Sequence, residues 1–554
     1  MKFNKFAYKI LIKKGHKLFN EFNDNTKNPL TVNFNTLIEI LKDNKTTEYG
    51  HIHKFQDIST IEDFKMMVPL SDYTNFKDYI DRMANGEKNL LLSDPIEFFS
   101  HTSGTTGYQK LIPNTKKSRT NASKYMGLLT QFIVFDYLKY KWTYKKGLML
   151  TDMLETNKSS GGITISSATS GGMRGIKFLI PYIWTSPLEV MKVKDRESSL
   201  YLHLLFALEY KDLMYIGGTF ISSILDLFRI LESNYDKLIY DIKTGTINKN
   251  LNISNELKKA IMKKLKPNPE RSNYLQKEFK KGFKNIAKRI WPNLNVIITV
   301  TGGNFSIYDN KVKYYIASIP IYSSAYGASE SSIAINPYLN KVSYVLLPDA
   351  AFFEFIKEND IFLKNPKTYN LNELEINQNY EIVVTSFNGL YRYRLGDVIK
   401  VIDFYNKSPE LIFLYRKNQL LNMVSEKMTE EQVKNALSSL ENKLSLKIID
   451  YCTSPNNSTT PGNYLFFIEL NKDFPHKKKL EEMLDLELCN SNKAYHRFRE
   501  KNALSRVQII LLEKGSFEKF KEFLIKKGAS KNQLKIPRVI TSKELLNIFN
   551  YHSI

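Results

Sequence analysis

The stretch Phe98-Phe99-Ser100-His101-Thr102-Ser103-Gly104-Thr105-Thr106-Gly107-Tyr108-Gln109-Lys110 carries the first indication of fold and site. Its apolar start, Ile96 to Phe99, is typical of a buried strand. The glycines after it let the backbone turn its N–H groups toward one point, while hydroxyls and Lys110 add donors and positive charge. This composition is typical of a phosphate-binding loop, although Gly104, Gly107 and Lys110 do not fit the Walker A spacing. Ordinary surface turns have the same composition, so only the rest of the chain can distinguish a phosphate-binding loop from such a turn.

Length and composition predict a packed protein of at least two domains. The chain has 554 residues, of which 42% are hydrophobic and 13% aromatic, which excludes general disorder. Only Cys452 and Cys489 occur, so no disulfide framework is expected and a cytoplasmic location is predicted. Residues 2–14 repeat lysine among apolar residues, which predicts an amphipathic helix rather than a signal peptide. No run of about 18 apolar residues occurs, so no membrane partner is expected.

The formal charge of +23 has two interpretations. One is a basic protein that binds nucleic acid through phosphate contacts. The other is compositional drift, because lysine and asparagine are scattered through every segment instead of being gathered in one. The second interpretation is favoured, and no nucleic-acid partner is expected.

Two glycine-containing segments in the first half carry structural predictions without an assigned chemistry. Residues 159–172 are rich in glycine and serine and lack a lysine, which predicts a flexible loop. Residues 200–231 read as two apolar helices that are interrupted at Gly217-Gly218. The two predictions concern the fold alone.

Two later motifs carry chemistry that suits a nucleotide. Tyr326-Gly327-Ala328-Ser329-Glu330 places an aromatic ring and a carboxylate in one turn, where the ring can stack on a base and Glu330 can hold Mg²⁺ beside phosphate oxygens. Asn388-Gly389 predicts a hairpin, and its returning strand leads to Gly396-Asp397. The Asp397 carboxylate is suited to accept hydrogen bonds from a ribose diol. These residues and the phosphate loop predict an ATP-using enzyme.

The C-terminal part reads as a second, smaller domain. A boundary is placed after Arg416, giving a large domain over 1–416 and a small one over 417–554. Thr429-Glu430-Glu431-Gln432 is a capping box that predicts a helix start. Short strands and helices then alternate, and residues 528–538 form a loop that holds Lys535 close to Pro537. The predicted fold class is α/β: β-sheets flanked by helices in the large domain, plus an α+β lid domain.

The ordered motifs resemble those of the acyl-adenylate-forming superfamily, and the whole chain resembles the auxin-responsive acyl acid–amido synthetases (the Gretchen Hagen family). Three nucleotide motifs match in order and separation: Thr102–Gly107, Tyr326–Glu330 and Tyr393–Asp397. The likeness extends nearly end to end, through Tyr182–Pro187, Trp291–Asn293, Leu347–Phe355, Arg416–Asn418, Thr460–Gly462 and Gly528–Arg538. One departure is Gly327, which plant members of the family usually lack.

The resemblance implies that a carboxylic acid and ATP form an acyl-adenylate and that an amine, in plant members an amino acid, then takes the acyl group. It assigns ATP contacts to Ser103, Gly104, Thr105, Thr106, Gly107, Lys110, Tyr326, Gly327, Ser329, Asp397 and Arg416. It assigns Mg²⁺ to Glu330. Lys535 is the implied catalytic residue, stabilising the charge shared between carboxylate and α-phosphate. The protein is expected to act as a monomer.

Two alternatives remain open at this point. An adenylating ligase of the same superfamily can transfer the acyl group to coenzyme A instead of an amine. A basic protein can also keep the fold without turnover and bind nucleic acid. The retained polar residues of the three motifs favour a working enzyme.

Overall fold

The computed structural model describes residues 2–101, 110–154, 157–173, 175–301, 306–361, 363, 365–417, 421, 423, 426, 428–456, 458–459, 461–526, 534, 536–540 and 543–549. These residues group into two compact units. The first contains the described residues up to His101, those from Leu111 to Leu395 and those from Ile399 to Ile412. The second contains Lys110, Gly396–Val398 and the described residues from Phe413 onward.

Helices dominate the start of the first unit, as the helical spacing of its apolar residues predicts. Side-chain caps fix two of them: Thr60 and Asp72 each accept from the backbone of the first turn in capping boxes. The five helices are α1 (Lys2–Asn25), α2 (Pro29–Asn44), α3 (Glu48–Ile52), α4 (Ile61–Met67) and α5 (Tyr73–Ala84).

A small mixed sheet follows, in the order β2-β1-β5-β4. Its strands are β1 (Ile96–His101), β2 (Leu111–Thr115), β4 (Asn157–Lys158) and β5 (Thr164–Ser166), with β3 (Leu148–Leu150) belonging to another sheet. The helices of this part of the chain are α6 (Lys116–Ala122), which Thr115 caps, α7 (Thr130–Leu138), α8 (Ala168–Met173) and α9 (Ile180–Ile183). Ser123–Leu129 forms π-helical turns between α6 and α7.

The prediction of a flexible loop over residues 159–172 is therefore wrong. Residues 164–166 pair in parallel with β1, and the following residues start a helix. A Cβ on Gly171 would lie 2.2 Å from Phe98 Cζ, and Gly161 donates its N–H to Ala84 O at 2.8 Å. These two glycines permit close packing rather than flexibility.

A parallel sheet in the order β3-β6-β7-β8 forms a second layer, with β6 (Tyr215–Phe220), β7 (Val296–Val300) and β8 (Ile321–Tyr322). Helices pack around it: α10 (Arg196–Glu209), α11 (Ile221–Thr244), α12 (Asn255–Met262), α13 (Pro269–Phe279), α14 (Ile286–Ile290) and α15 (Ser306–Ile316). Gly217-Gly218 lies inside β6, so the predicted helix break is a strand. A Cβ on Gly217 would lie 2.6 Å from Met149 Cε of the neighbouring strand, which explains the glycine.

A seven-stranded sheet, in the order β12-β13-β14-β15-β11-β10-β9, carries the later motifs. Its strands are β9 (Ala325–Gly327), β10 (Ser332–Ile335), β11 (Tyr344–Leu346), β12 (Phe352–Lys357), β13 (Asn379–Ser386), β14 (Leu390–Tyr405) and β15 (Ser408–Arg416). The predicted hairpin is confirmed, since Asn388-Gly389 joins β13 to β14 and Gly389 has φ +74°. Buried residues of α2, α4, α5 and this sheet form one core cluster, which includes Phe64, Phe353 and Tyr391.

The second unit contains a three-stranded sheet with helices. The strands β16 (Ile448–Asn456), β17 (Asn463–Leu470) and β18 (Gln508–Leu512) pair in that order. The helices are α16 (Glu430–Leu444), α17 (Lys477–Ser491), α18 (Lys493–Glu500), α19 (Ser516–Lys526) and α20 (Lys543–Asn547). The capping box at Thr429 and Gln432 is confirmed. The fold is thus mixed α/β, with a large N-terminal domain and a smaller C-terminal one.

Candidate nucleotide site

The ends of the candidate phosphate loop are fixed by strand pairing. His101 closes β1 and is the register partner of Leu111, which opens the antiparallel β2. The candidate loop therefore follows β1 and precedes the adjacent strand β2. Ser103, Gly104, Thr105, Thr106 and Gly107 lie outside the described residues, whereas the half-buried Lys110 lies within them.

His101 is buried at the end of β1. Burial lowers the pKa of its imidazole below the ordinary value of 6.5, and the Asp152 carboxylate opposes that change. The ring is therefore neutral at neutral pH and supplies no charge to a phosphate. A hydrogen-bonding, structural role fits His101 better than a catalytic one.

The turn after β9 is held tightly by its own backbone. Ala328 donates its N–H to Ser331 O at 2.9 Å, which closes residues 328–331 into a short turn. Tyr326 is half-buried, with its ring 6.1 Å from that of Tyr344. A Cβ on Gly327 would lie 3.3 Å from Met126 Sδ in the π-helical turns, so the space above this backbone is limited.

The Glu330 carboxylate is buried at the end of this turn. Tyr393 on β14 donates its hydroxyl to Glu330 Oε1 at 3.5 Å, which links two of the motifs. Among the residues that the structure describes, no group of three or more His, Cys, Asp or Glu could enclose a metal ion. A single carboxylate still suits Mg²⁺, which is usually bound by one or two carboxylates with phosphate oxygens and water.

A small polar cavity of about 60 Å³ lies beside Ser329. Hydroxyl and amide side chains line much of it, among them Ser118 and Asn121 of α6. Below it, Asn388 donates to Pro113 O at 2.7 Å and to Asn114 Oδ1 at 3.1 Å. The hairpin turn, β2 and the Ser329 turn thus meet at one polar pocket.

Asp397 and Arg416 form a bidentate ion pair in the second unit. Asp397 is 2% exposed; Arg416 donates Nε to Oδ1 at 2.5 Å and Nη2 to Oδ2 at 3.1 Å. The preceding Gly396 has φ +78°, a conformation that other residues adopt only with strain. In the Leu395-Gly396-Asp397 motif, the glycine is therefore required by the backbone conformation, and the carboxylate is paired with a guanidinium.

The structure groups the predicted site residues into two sets. Lys110, Asp397 and Arg416 belong to the second unit, and the Tyr326–Glu330 turn with Tyr393 belongs to the first. Lys535 lies outside the described residues, so its predicted role stays a prediction.

Sequence reasoning missed three residues that shape the site. The sequence indicates Tyr393 only as part of a motif and Asn388 only as a turn former, and it gives no signal for Met126. Their neighbours come from segments far away along the chain, so no local pattern reveals them. Of the three residues, Tyr393 has the clearest sequence signal, because the alternation of side chains along β14 places it on the same face of the sheet as Leu395.

Family comparisons cover nearly the whole chain. Sequence models of the GH3 family N-terminal domain, central domain and C-terminal domain match residues 18–321, 344–416 and 431–544. The chain is 30% identical to jasmonoyl–L-amino acid synthetase JAR6 of Nicotiana attenuata, over 97% of this chain and 96% of that protein. It is also 30% identical to indole-3-acetic acid-amido synthetase GH3.6 of Arabidopsis thaliana, over 95% of this chain and 91% of that protein.

Solved structures give the same picture of the fold. GH3.15 acyl acid amido synthetase superposes with a TM-score of 0.85 at 27% identity, covering 95% of this chain and 94% of that one. A 2-hydroxyisobutyryl-CoA ligase superposes with a TM-score of 0.54 at 11% identity, covering 94% and 90%. The second likeness concerns the fold alone.

Proposed function

Because this chain belongs to the GH3 family, we propose that it is an ATP-dependent acyl acid–amido synthetase. The observation that carries the proposal is the ion pair of Arg416 with the buried Asp397, which follows a glycine with positive φ in the motif expected to bind ribose. The names of the relatives, amido synthetases that act on jasmonate and indole-3-acetic acid, support the reaction type. Which acid this chain takes is a question for experiment.

The proposed reaction has two balanced steps. A carboxylate oxygen of the acid attacks the α-phosphorus of ATP, and pyrophosphate leaves with the electron pair of the broken P–O bond. The amine nitrogen then attacks the acyl carbon of the adenylate, AMP leaves, and the nitrogen loses a proton. A carboxylate is a weak nucleophile repelled by polyphosphate, so the protein has to supply positive charge and alignment.

Asp397 is proposed to hold the ribose hydroxyls. A carboxylate offers about four acceptor positions, so it can accept from a diol together with Arg416. Arg416 fixes the orientation of this carboxylate through two hydrogen bonds. Its side chain is 42% exposed, which leaves the guanidinium accessible to a ligand.

Glu330 is proposed to bind Mg²⁺, and Tyr326 to contact adenine. Burial and the Tyr393 hydroxyl hold the Glu330 carboxylate in one position. The donor set fits Mg²⁺ because phosphate oxygens and water complete the octahedron. Mg²⁺, when bound, reduces the negative charge of the phosphates that the acid must approach. Gly327 and Ser329 would let the phosphates pass close to the turn.

The remaining roles rest on the family resemblance. Ser103, Gly104, Thr105, Thr106, Gly107 and Lys110 are proposed to bind the phosphates of ATP. We further propose a domain boundary between residues 416 and 417, with the domain over 417–554 acting as a lid that carries Lys535. Lys535 would stabilise the negative charge that the carboxylate and α-phosphate share during adenylation.

The cellular setting is also proposed. Cys452 and Cys489 are both free thiols, which supports a cytoplasmic location. A monomer that binds no nucleic acid is the simplest form of the enzyme. Among the described residues, no helix is both long and apolar enough to cross a membrane.

A product screen tests the function. The purified protein is incubated with ATP, Mg²⁺, a mixture of carboxylic acids and a mixture of amino acids, with coenzyme A in a parallel reaction. Pyrophosphate release and new masses equal to acid plus amino acid minus water are the expected results. A thioester instead of an amide would move the function to the coenzyme A ligases, and the absence of pyrophosphate with every acid would contradict adenylation.

A further inference from the structure

Three segments of the first unit meet at one end of α1. Tyr8 on α1 donates its hydroxyl to Ile183 O at 3.2 Å, and its ring lies 5.2 Å from that of Trp142. The ring of Phe3, one turn earlier, lies 6.2 Å from that of Tyr182. Residues 2–20, 137–147 and 175–188 therefore lie side by side in the fold.

The four most exposed phenylalanine and tyrosine side chains among the described residues lie in this region. Phe3, Phe6 and Phe178 are exposed to 72%, 64% and 67%. No other phenylalanine among the described residues belongs to the exposed class. Tyr140 is 93% exposed, and Tyr182 is 40% exposed beside Phe3. Scattered exposed apolar residues are normal, but a cluster of this kind marks a binding surface.

The spacing along α1 organises the exposed residues. Phe3, Phe6 and Ile10 stand at i, i+3 and i+7, so they share one face of the helix. Ala7, Tyr8, Leu11 and Ile12 belong to the core or pack against it. The stripe itself lies mostly in solvent, although the Phe3 ring contacts that of Tyr182.

The charge around the stripe is mostly positive. The three segments contain eleven lysines and no aspartate or glutamate, although the chain has 57 acidic residues in 554. Eight of these lysines are exposed: Lys5, Lys9, Lys13, Lys14, Lys17, Lys139, Lys141 and Lys177. Glu21, Asp136 and Glu189 lie directly beyond the segment ends and Asp212 pairs with Lys145, so this part of the protein has a strong excess of lysine rather than positive charge alone.

We propose that this aromatic–lysine patch, made of Phe3, Phe6, Ile10, Tyr140, Phe178, Tyr182 and the eight exposed lysines, docks the protein onto an anionic lipid surface. Aromatic rings enter the boundary between headgroups and acyl chains, and lysines extend their charged ends to the lipid phosphates and serines. Anionic lipids of the cytoplasmic leaflet supply the complementary charge. The docking is peripheral and reversible, and it goes beyond the expectation of no membrane partner, which considered spanning segments alone.

Vesicle sedimentation of the full-length protein tests the proposal. Vesicles of phosphatidylcholine alone are compared with vesicles containing phosphatidylcholine and phosphatidylserine at a ratio of about 7:3. The protein should sediment with the mixed vesicles only, and raising the salt should release it, because surface charge is screened.

Two triple variants and a matched control separate the contributions. Phe3→Ser with Phe6→Ser and Phe178→Ser removes the rings; Lys5→Glu with Lys9→Glu and Lys13→Glu reverses the charge. Each variant should weaken vesicle binding by about tenfold or more. The lysine variant loses charge attraction, to which each lysine near the membrane contributes about a factor of five, and the phenylalanine variant loses the rings that enter the lipid boundary. The control reverses Lys259, Lys263 and Lys266, three exposed lysines elsewhere, and changes the net charge equally. It should bind nearly as well as the wild type.

Several results would overturn the proposal. Binding to neither kind of vesicle would do so, as would an equal loss in the control, which would assign the effect to total charge. Retained binding by the phenylalanine variant would exclude insertion of the rings. Concentration-dependent dimers of the wild type that this variant abolishes, measured by sedimentation velocity, would assign the patch to a second copy. Unchanged thermal unfolding of all variants establishes that they fold.

Discussion

Many residues that carry the family likeness form hydrogen bonds within the protein itself, which gives them a structural role. Trp291 is fully buried and donates Nε1 to Ala207 O at 2.9 Å. Asp349 accepts from Lys124 Nζ at 3.0 Å and from the Tyr125 hydroxyl. Sequence alone could not separate these residues from Asp397 or Glu330, because a buried polar partner and a ligand contact select the same side chains.

Replacing Asp397 by Ala should weaken ATP binding by tenfold to a hundredfold, about 1.4 to 2.7 kcal/mol. The cause is the loss of the charge-assisted acceptor proposed for the ribose. Calorimetric titration with a non-hydrolysable ATP analogue measures the dissociation constant. Asp403→Ala, at an exposed position of the same strand, is the control. Unchanged affinity in the folded Asp397→Ala protein would contradict the ribose assignment.

Lys535→Ala should separate binding from chemistry. The variant should keep ATP binding close to that of the wild type but lose adenylation, since its charge is proposed to act on the transition state. Single-turnover formation of acyl-adenylate and the titration described above are measured in parallel. Equal losses in both would show that Lys535 serves ground-state binding instead.

Glu209, which is not one of the candidate site residues, allows the pH dependence of folding stability to be tested. Burial raises the pKa of its carboxyl to about 7 from the ordinary 4.5. The folded state therefore holds a proton that the unfolded state releases, so stability is lost as pH rises from about 4.5 to 7. Glu209→Gln should raise the free energy of unfolding at pH 8 by at most about 3 kcal/mol, with little effect at pH 4.5.

Denaturant unfolding of Glu209→Gln and wild type at pH 4.5 and pH 8 makes the comparison. Glu197→Gln, at an exposed position of the same helix, is the control. A gain for Glu209→Gln that is equal at both pH values would mean that packing, not ionisation, causes it.

At the scale of elements, one buried ion pair joins strands β12 and β14 to the C-terminal end of α4. Arg392 donates Nε and Nη2 to Glu354 at 3.0 and 2.8 Å, and Nη1 to Lys65 O and Val68 O at 2.9 and 2.8 Å. Arg392 also has φ +44°, so its neighbours hold a strained backbone in place. The pair lies five residues before Asp397 on the same strand.

Glu354→Ala should therefore destabilise the fold by about 3–5 kcal/mol, because it leaves a buried guanidinium without its counter-charge. Glu375→Ala, which breaks the exposed Lys357–Glu375 pair, should cost about 0–1 kcal/mol. Urea unfolding of both variants measures the difference. Similar small losses in the two would show that the Arg392 pair adds little to stability.

Elements were predictable wherever a local signal specifies them. The cap at Thr429 and the Asn388-Gly389 hairpin both depend on residues within a few positions. Glycines were the source of the errors. Gly171 and Gly217 are required by contacts with Phe98 and Met149, residues 73 and 68 positions away, respectively, so sequence spacing read them as flexibility or as a helix break.

At the scale of the molecule, fold class and reaction type could be predicted from the sequence because three motifs occur in a fixed order along the chain. The distribution of charged and aromatic residues over the surface could not be predicted. The charge of +23 looked uniform in sequence, and only the packing of α1 beside Trp142 and Tyr182 brings three acid-free segments together. Long-range packing decides which residues remain exposed, and no local pattern contains that information.

Exchange of labelled pyrophosphate into ATP tests adenylate formation most directly, because it needs neither the amine nor product release. With an acid that supports amide formation in the product screen, the wild type should catalyse rapid exchange in the absence of amine. Lys535→Ala should reduce the exchange by at least about a hundredfold, as expected for loss of transition-state charge stabilisation. Amide formation by the wild type without any acid-dependent exchange would contradict an acyl-adenylate intermediate.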